Sequence, residues 1–138
     1  MKQKWVWIAA AIFVVLVTVF LADAKGTAVN HVLRNQEKLT EYAEICLEHP
    51  ETATRYRNWN TYRMSDGGVV LFQVRYVGFG SQSDEMGFYY SPKDAVVGLG
   101  NDLEEEYSDT GVKFLGEGDN YTYVEKITDC WYWYERYW

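Results

Sequence analysis

Eighteen consecutive residues, Trp5 to Ala22, carry no charge and one polar side chain, that of Thr18. Such a run does not suit the core of a small soluble domain. As a helix rising ~1.5 Å per residue it covers roughly 27 Å, close to the thickness of a bilayer's hydrocarbon. Lys2 and Lys4 precede it with no acid among them, whereas Asp23 and Lys25 offset each other on the far side. Basic flanks stay in the cytoplasm, so the N-terminus is expected inside and the rest of the chain outside, with Trp5 and Trp7 at the inner interface. Ala22-Asp23-Ala24 also has the small-x-small form that signal peptidase accepts, which gives an alternative expectation of secretion after cleavage following Ala24. The apolar run exceeds the ~7 to 15 residues of a typical cleaved signal, which favours a retained signal anchor. The expected organisation is a cytoplasmic tail at 1–4, a single transmembrane helix at 5–22 and one extracytoplasmic domain at 23–138.

Charge narrows the partners of that domain. Residues 25–138 keep 11 of the 13 basic side chains and 19 of the 20 acids, a net charge of −8 with His neutral. A phosphate backbone requires a basic face, and Arg55, Arg57, Arg63 and Arg75 are dispersed among acids and aromatics, so no nucleic acid is expected as partner. Anionic lipid is disfavoured for the same reason.

Periodicity supplies the fold. Between Ala28 and Glu48 apolar residues recur at Val29, Val32, Leu33, Leu39, Ala43, Cys46 and Leu47, the spacing of one helix face. Thr27 can cap this amphipathic helix, Gly26 loosens its join to the anchor, and Pro50 follows its end. After Pro50 the period changes to two. Strands are predicted at Tyr56 to Met64, Val69 to Phe79, Gly87 to Ser91, Ala95 to Leu99, Val112 to Leu115, Tyr121 to Thr128 and Trp131 to Tyr137. Between them lie Asp66-Gly67-Gly68, the polar segment Gly80 to Glu85, Gly100-Asn101-Asp102, Gly116 to Asn120 and Asp129-Cys130. Such spacing leaves no room for crossover helices. The expected fold class is therefore α+β: an N-terminal transmembrane helix, then an amphipathic helix packed on a curved antiparallel β-meander of about five to seven strands.

The ordered series Gly87-Phe88-Tyr89-Tyr90-Ser91-Pro92, Gly116-Glu117-Gly118-Asp119-Asn120, Glu125-Lys126-Ile127 and Trp131-Tyr132-Trp133-Tyr134-Glu135 resembles the C-terminal half of small, uncharacterised, single-pass membrane-anchored proteins of Gram-positive bacteria. The likeness covers roughly residues 66 to 138. It implies an architecture and a location, and no activity.

Chemistry-bearing motifs are sparse. Glu117, Asp119 and Asn120 bring oxygen ligands together in a flexible loop. Gly, Asp and Asn are also the ordinary residues of tight turns, and the calcium-loop pattern D-x-[DN]-x-[DN]-G is absent, so no metal is expected. The acidic run Asp102, Glu104, Glu105 and Glu106 reads as a solvated face. Gly78-Phe79-Gly80-Ser81 is not a nucleophile elbow, there is no phosphate-binding loop, and the histidines are His31 and His49. No cofactor and no catalytic residue is expected. Glu117, Asp119, Glu125 and Glu135 leave open an alternative, a carboxylate-dependent hydrolase of envelope glycan.

Eight of the last eighteen residues are Trp or Tyr. Strand alternation puts Trp131, Trp133 and Tyr137 on one side and Tyr132, Tyr134 and Trp138 on the other, where rings near solvent stack on sugars or anchor a protein partner. The expected binding set is thus Glu117, Asp119, Asn120, Tyr132, Tyr134 and Trp138. The expected role is a non-catalytic, membrane-anchored module that binds an envelope protein or polymer through an aromatic and acidic surface. A pilin-like subunit is a further alternative, although the prepilin cleavage pattern is absent. Cys46 and Cys130, the only cysteines, are a candidate disulfide in an oxidising compartment.

Overall fold

The computed structural model describes residues 2–65 and 68–138. Asp66 and Gly67 of the expected three-residue turn and Met1 of the expected tail lie outside the described residues. The first element is a single helix, α1 (Lys2–Glu48), followed by one 3₁₀ turn (Pro50–Thr52). Its first half is apolar, long enough to cross a membrane and nowhere buried along its most apolar stretch. The second half covers the sheet. The anticipated break at Gly26 does not occur, because a lone glycine costs a long helix only about 1 kcal/mol and neighbouring residues keep their ladder. The irregular residue is Asn35 (φ −126°, ψ 24°). Its carboxamide Nδ2 donates to the His31 carbonyl at 3.0 Å, and a side chain in the ladder is a recognised cause of a kink.

Eight strands form one antiparallel sheet: β1 (Arg55–Tyr56), β2 (Trp59–Met64), β3 (Val69–Phe79), β4 (Gln82–Tyr90), β5 (Glu104–Tyr107), β6 (Val112–Leu115), β7 (Tyr121–Thr128) and β8 (Trp131–Tyr137). Their spatial order is β1-β2-β3-β4-β8-β7-β6-β5. The topology is thus two four-stranded meanders, with β8 returning to pair with β4, in place of one continuous meander. Four strand expectations change. Tyr56 to Met64 is divided into β1 and β2 by a turn at Arg57, whose φ is 54°. The polar segment expected as a loop from Gly80 to Glu85 is only a two-residue turn, since Gln82 to Glu85 already pair with Tyr76 to Phe79 as the start of β4. Ala95 to Leu99 is not a strand, because side chains take its backbone donors: Ala95 N–H bonds Ser91 Oγ at 3.1 Å and Val97 N–H bonds the Tyr89 hydroxyl at 3.0 Å. Leu99, at φ 55°, then turns the chain. Glu104–Tyr107, read as a solvated acidic run, is the edge strand β5, exposed throughout. Charge on an edge discourages pairing with a foreign strand.

Both faces of the sheet are covered. On one, Val70, Phe72, Phe88, Tyr90, Trp131 and Trp133 meet Ala28, Val32, Leu39, Ala43 and Cys46 of α1. Phe72 and Phe88 stack at 4.7 Å between centroids, and Trp131 Nε1 donates to Thr40 Oγ1 at 3.3 Å. The buried helix positions differ in part from those read from periodicity, since Leu33 is exposed and Ala28 is inside. On the other face Val69, Leu71, Tyr89, Phe114, Val124, Tyr132 and Tyr134 lie beneath Val97 and Leu99 of the β4–β5 connection. Cys46 and Cys130 are both free thiols at the helix-side cluster, one buried and one half-buried. Thr52 Oγ1 lies 3.8 Å from Cys46 Sγ, and Cys130 is held in its turn by bonds from its N–H to Asp94 and from the Ser91 N–H to its carbonyl.

Candidate functional site

Residues of β8 separated by two share a face, so Arg136 and Trp138 point with Tyr132 and Tyr134 toward the second core. The two at the strand's end emerge from under the cover. The Arg136 guanidinium carbon lies 4.1 Å from the Trp138 ring centroid, a cation–π stack. Its Nη1 donates to the Leu99 carbonyl at 3.3 Å and its Nη2 to Glu85 Oε2 at 3.1 Å, while Nε is buried and unpaired among protein groups.

Two turns close the site. Gly98 to Asn101 is held by the Asn101 N–H on the Gly98 carbonyl at 3.1 Å, and Gly100 has φ 96°. Gly116 to Asn120 is closed by the Gly116 N–H on the Asn120 carbonyl at 2.8 Å. Asn101 Nδ2 donates to Thr122 Oγ1 at 2.9 Å, and its Oδ1 would lie 2.3 Å from a Cβ at Gly116, so any larger residue there would displace the Asn101 carboxamide. Between them opens a cavity of about 310 Å³ lined by Leu99, Gly100, Asn101, Asn120, Arg136 and Trp138. It offers an indole, a guanidinium and two carboxamides.

Behind it Glu85, 4% exposed, accepts hydrogen bonds from the Tyr62 and Tyr134 hydroxyls and pairs with Arg136. Burial pushes both phenols above the usual tyrosine range, which keeps them protonated donors. With its oxygens occupied by two phenols and a guanidinium, Glu85 is a structural acceptor rather than a general base.

The expected binding residues divide accordingly. Asn120 and Trp138 line the cavity, and Glu117 and Asp119 are exposed in the adjoining turn. Tyr132 and Tyr134 were expected near solvent; they are 2% and 0% exposed, because the β4–β5 connection covers the face they occupy. Tyr132 donates to Asp94 Oδ1 at 2.8 Å and its hydroxyl is pushed up to about 12. Among the other acids considered for hydrolysis, Glu125 pairs with Lys25 at 2.9 Å and Glu135 accepts from Trp133 Nε1 at 3.0 Å, both on the helix side of the sheet and away from the cavity. Among the described residues no three of His, Cys, Asp and Glu gather as a metal-binding group. Arg136, Asn101 and Glu85 escaped the sequence reading. The spacing Arg136-x-Trp138 was the available signal for the first.

No protein-family profile matches the chain, and searches of curated proteins and of solved structures likewise find no match.

Proposed function

We propose that this chain is a non-catalytic binding module, anchored by residues 5–22 and facing outward from the cell as one domain over residues 23–138, which holds a segment of an envelope polymer in the cavity beside Trp138. The observation that carries this reading is the cavity's lining. An aromatic ring next to a guanidinium and two carboxamides suits a sugar, whose apolar ring faces stack on indole and whose hydroxyls bond to amide and guanidinium groups. The acids nearest to it are either exposed in a turn or engaged with Arg136 and two phenols, which supports binding over hydrolysis. The organism class and outward orientation follow from the resemblance and the basic N-terminal flank.

The test is titration of the full chain in detergent micelles with soluble fragments of wall glycan, followed by nuclear magnetic resonance of the indole signals. Fragments are expected to shift the Trp138 signal, and Trp138→Ala is expected to weaken binding by about tenfold, the equivalent of ~1.4 kcal/mol for one lost stacking contact. Equal affinity of the Trp138→Ala variant would overturn the assignment. A protein partner in place of glycan would appear as shifts induced by peptide and by no sugar.

One observation favours a second reading, a pilin-like subunit. α1 runs 47 residues with a kink at Asn35 and no intervening loop, apolar in its first half, exposed over residues 4–19, and laid on an antiparallel sheet in its second half. Cysteine cross-linking between introduced pairs along residues 5–22 would give ladders of many copies if the chain assembles in this way, and single chains if it is a solitary anchor.

A further inference from the structure

The contacts between α1 and the sheet fix which end of the domain faces the bilayer. Tyr42 touches Phe72 and the Thr61 hydroxyl, and eleven residues earlier His31 packs on Trp59. Glu44 accepts from Tyr90, Thr40 from Trp131, and Lys25 lies over Trp133. From residue 44 back to residue 25 the helix therefore descends in the direction in which β3 and β8 run. The apolar half of α1 leaves the domain at the end that holds the β3–β4 hairpin.

That hairpin projects. Gly80 and Ser81 form its two-residue turn, with φ 64° at Gly80, and Phe79 pairs with Gln82 across it. The register pairs Arg75 with Met86 and Val77 with Asp84; Met86 packs under the helix, so Val77 and Phe79 share the helix's side of the sheet. His31 packs on Trp59, and the next residue Asn60 pairs with Gln73, which sets a common level. From Gln73 to Phe79 the strand advances roughly 20 Å, whereas from His31 to Ala22 the helix advances ~14 Å. The tip thus reaches the level at which the apolar run begins. Phe79 is 92% exposed, Val77 and Tyr76 are about half exposed, and Tyr76 to Ser83 contains no acid and no base. Tyr121, Tyr137 and Trp138 lie at the same end, Tyr121 and Tyr137 stacked at 5.8 Å.

We infer that the β3–β4 hairpin tip seats in the outer interface of the lipid bilayer beside the chain's own helix, with Phe79 inserted among the lipids and the neighbouring aromatic residues at headgroup level. Aromatic side chains favour that zone, and Phe79, Val77 and Tyr76 together give the uncharged tip a cluster of exposed apolar surface at the end from which the apolar half of α1 leaves. Asp84, Glu117 and Asp119 at this end make the contact apolar rather than electrostatic. The inference rests on the anchoring reading, and its test separates the two.

The photoreactive residue p-benzoylphenylalanine is placed singly at Trp7, Phe79 or Asp129 in the full chain, reconstituted in phosphatidylcholine vesicles and irradiated. Asp129, 88% exposed at the opposite end of the sheet in the β7–β8 turn, is the water-facing reference. Positions 7 and 79 are expected to form lipid adducts, visible by mass, at least about tenfold above position 129, as interfacial insertion requires. Adducts at 7 with none above the reference at 79 would overturn the tip's insertion and leave the anchor standing. No adduct at 7 would overturn both. Adducts at 79 with a second copy of the chain in place of lipid would assign the tip to self-association and also overturn the inference.

Discussion

Asp94 shows how much order one side chain imposes. It accepts bonds from Lys126 Nζ and the Cys130 N–H, each at 2.7 Å, and from the Tyr132 hydroxyl at 2.8 Å. The Lys126 bond first, then those from Cys130 and Tyr132, hold its carboxyl down at about 2. The folded state therefore binds fewer protons there than the unfolded chain. The stabilisation is complete above pH ~4 and is lost as pH falls toward 2. Chemical unfolding of the full chain in detergent, followed by Trp fluorescence between pH 5 and 2, is expected to show that loss, and Asp94→Asn is expected to flatten it. Glu85 acts differently, as a buried charge. Glu85→Ala leaves Arg136 without its ion partner and is expected to destabilise by about 3 kcal/mol or more. Tyr134→Phe, which removes one donor to the carboxylate, is expected to cost about 1.5 kcal/mol by the same measurement. Neither role was legible in the sequence. Glu85 and Arg136 are 51 positions apart and meet only because β4 and β8 are neighbours in register.

Elements were legible where local pattern alone decides them. β6, β7 and β8 have the boundaries that alternation and flanking turns predict. Ala95 to Leu99 failed because its alternation serves as a cover: Val97 and Leu99 face inward while Ser91 and Tyr89 occupy backbone donors that a partner strand would need. Nothing in the periodicity of β8 shows that such a cover exists, which is why Tyr132 and Tyr134 read as surface. The contact of β3, β4 and β8 depends on Gly87. A Cβ there would stand 2.1 Å from the Phe72 carbonyl oxygen and 3.0 Å from the Tyr134 ring. Backbone cannot yield as a flexible side chain can, so Gly87→Ala is expected to destabilise by roughly 2 to 3 kcal/mol, with Leu103→Ser, at a side chain 71% exposed, as a control near zero. Equal midpoints for the two variants in a denaturant titration would contradict the packing described.

At the scale of the whole molecule, one helix unites two environments. Its first half is apolar, with residues 4–19 exposed, and its second half closes a core of Trp, Phe and Tyr against an eight-stranded sheet. A helix shared in this way ties the direction of its apolar half to the domain, so the cavity at Trp138 and the tip at Phe79 both lie at the end of the sheet toward which that half runs. The central claim is that the chain remains anchored with residues 23–138 outside. Its most direct measurement is protease treatment of intact cells expressing the full chain, after which membrane pellets washed at alkaline pH are analysed by mass spectrometry. The account predicts a protein that stays in the pellet, retains Lys2 and Trp5 in its N-terminal peptide and loses the peptides of residues 25–138 to external protease. Release into the medium with Lys25 at the N-terminus, or full protection of residues 25–138 in intact cells, would contradict it.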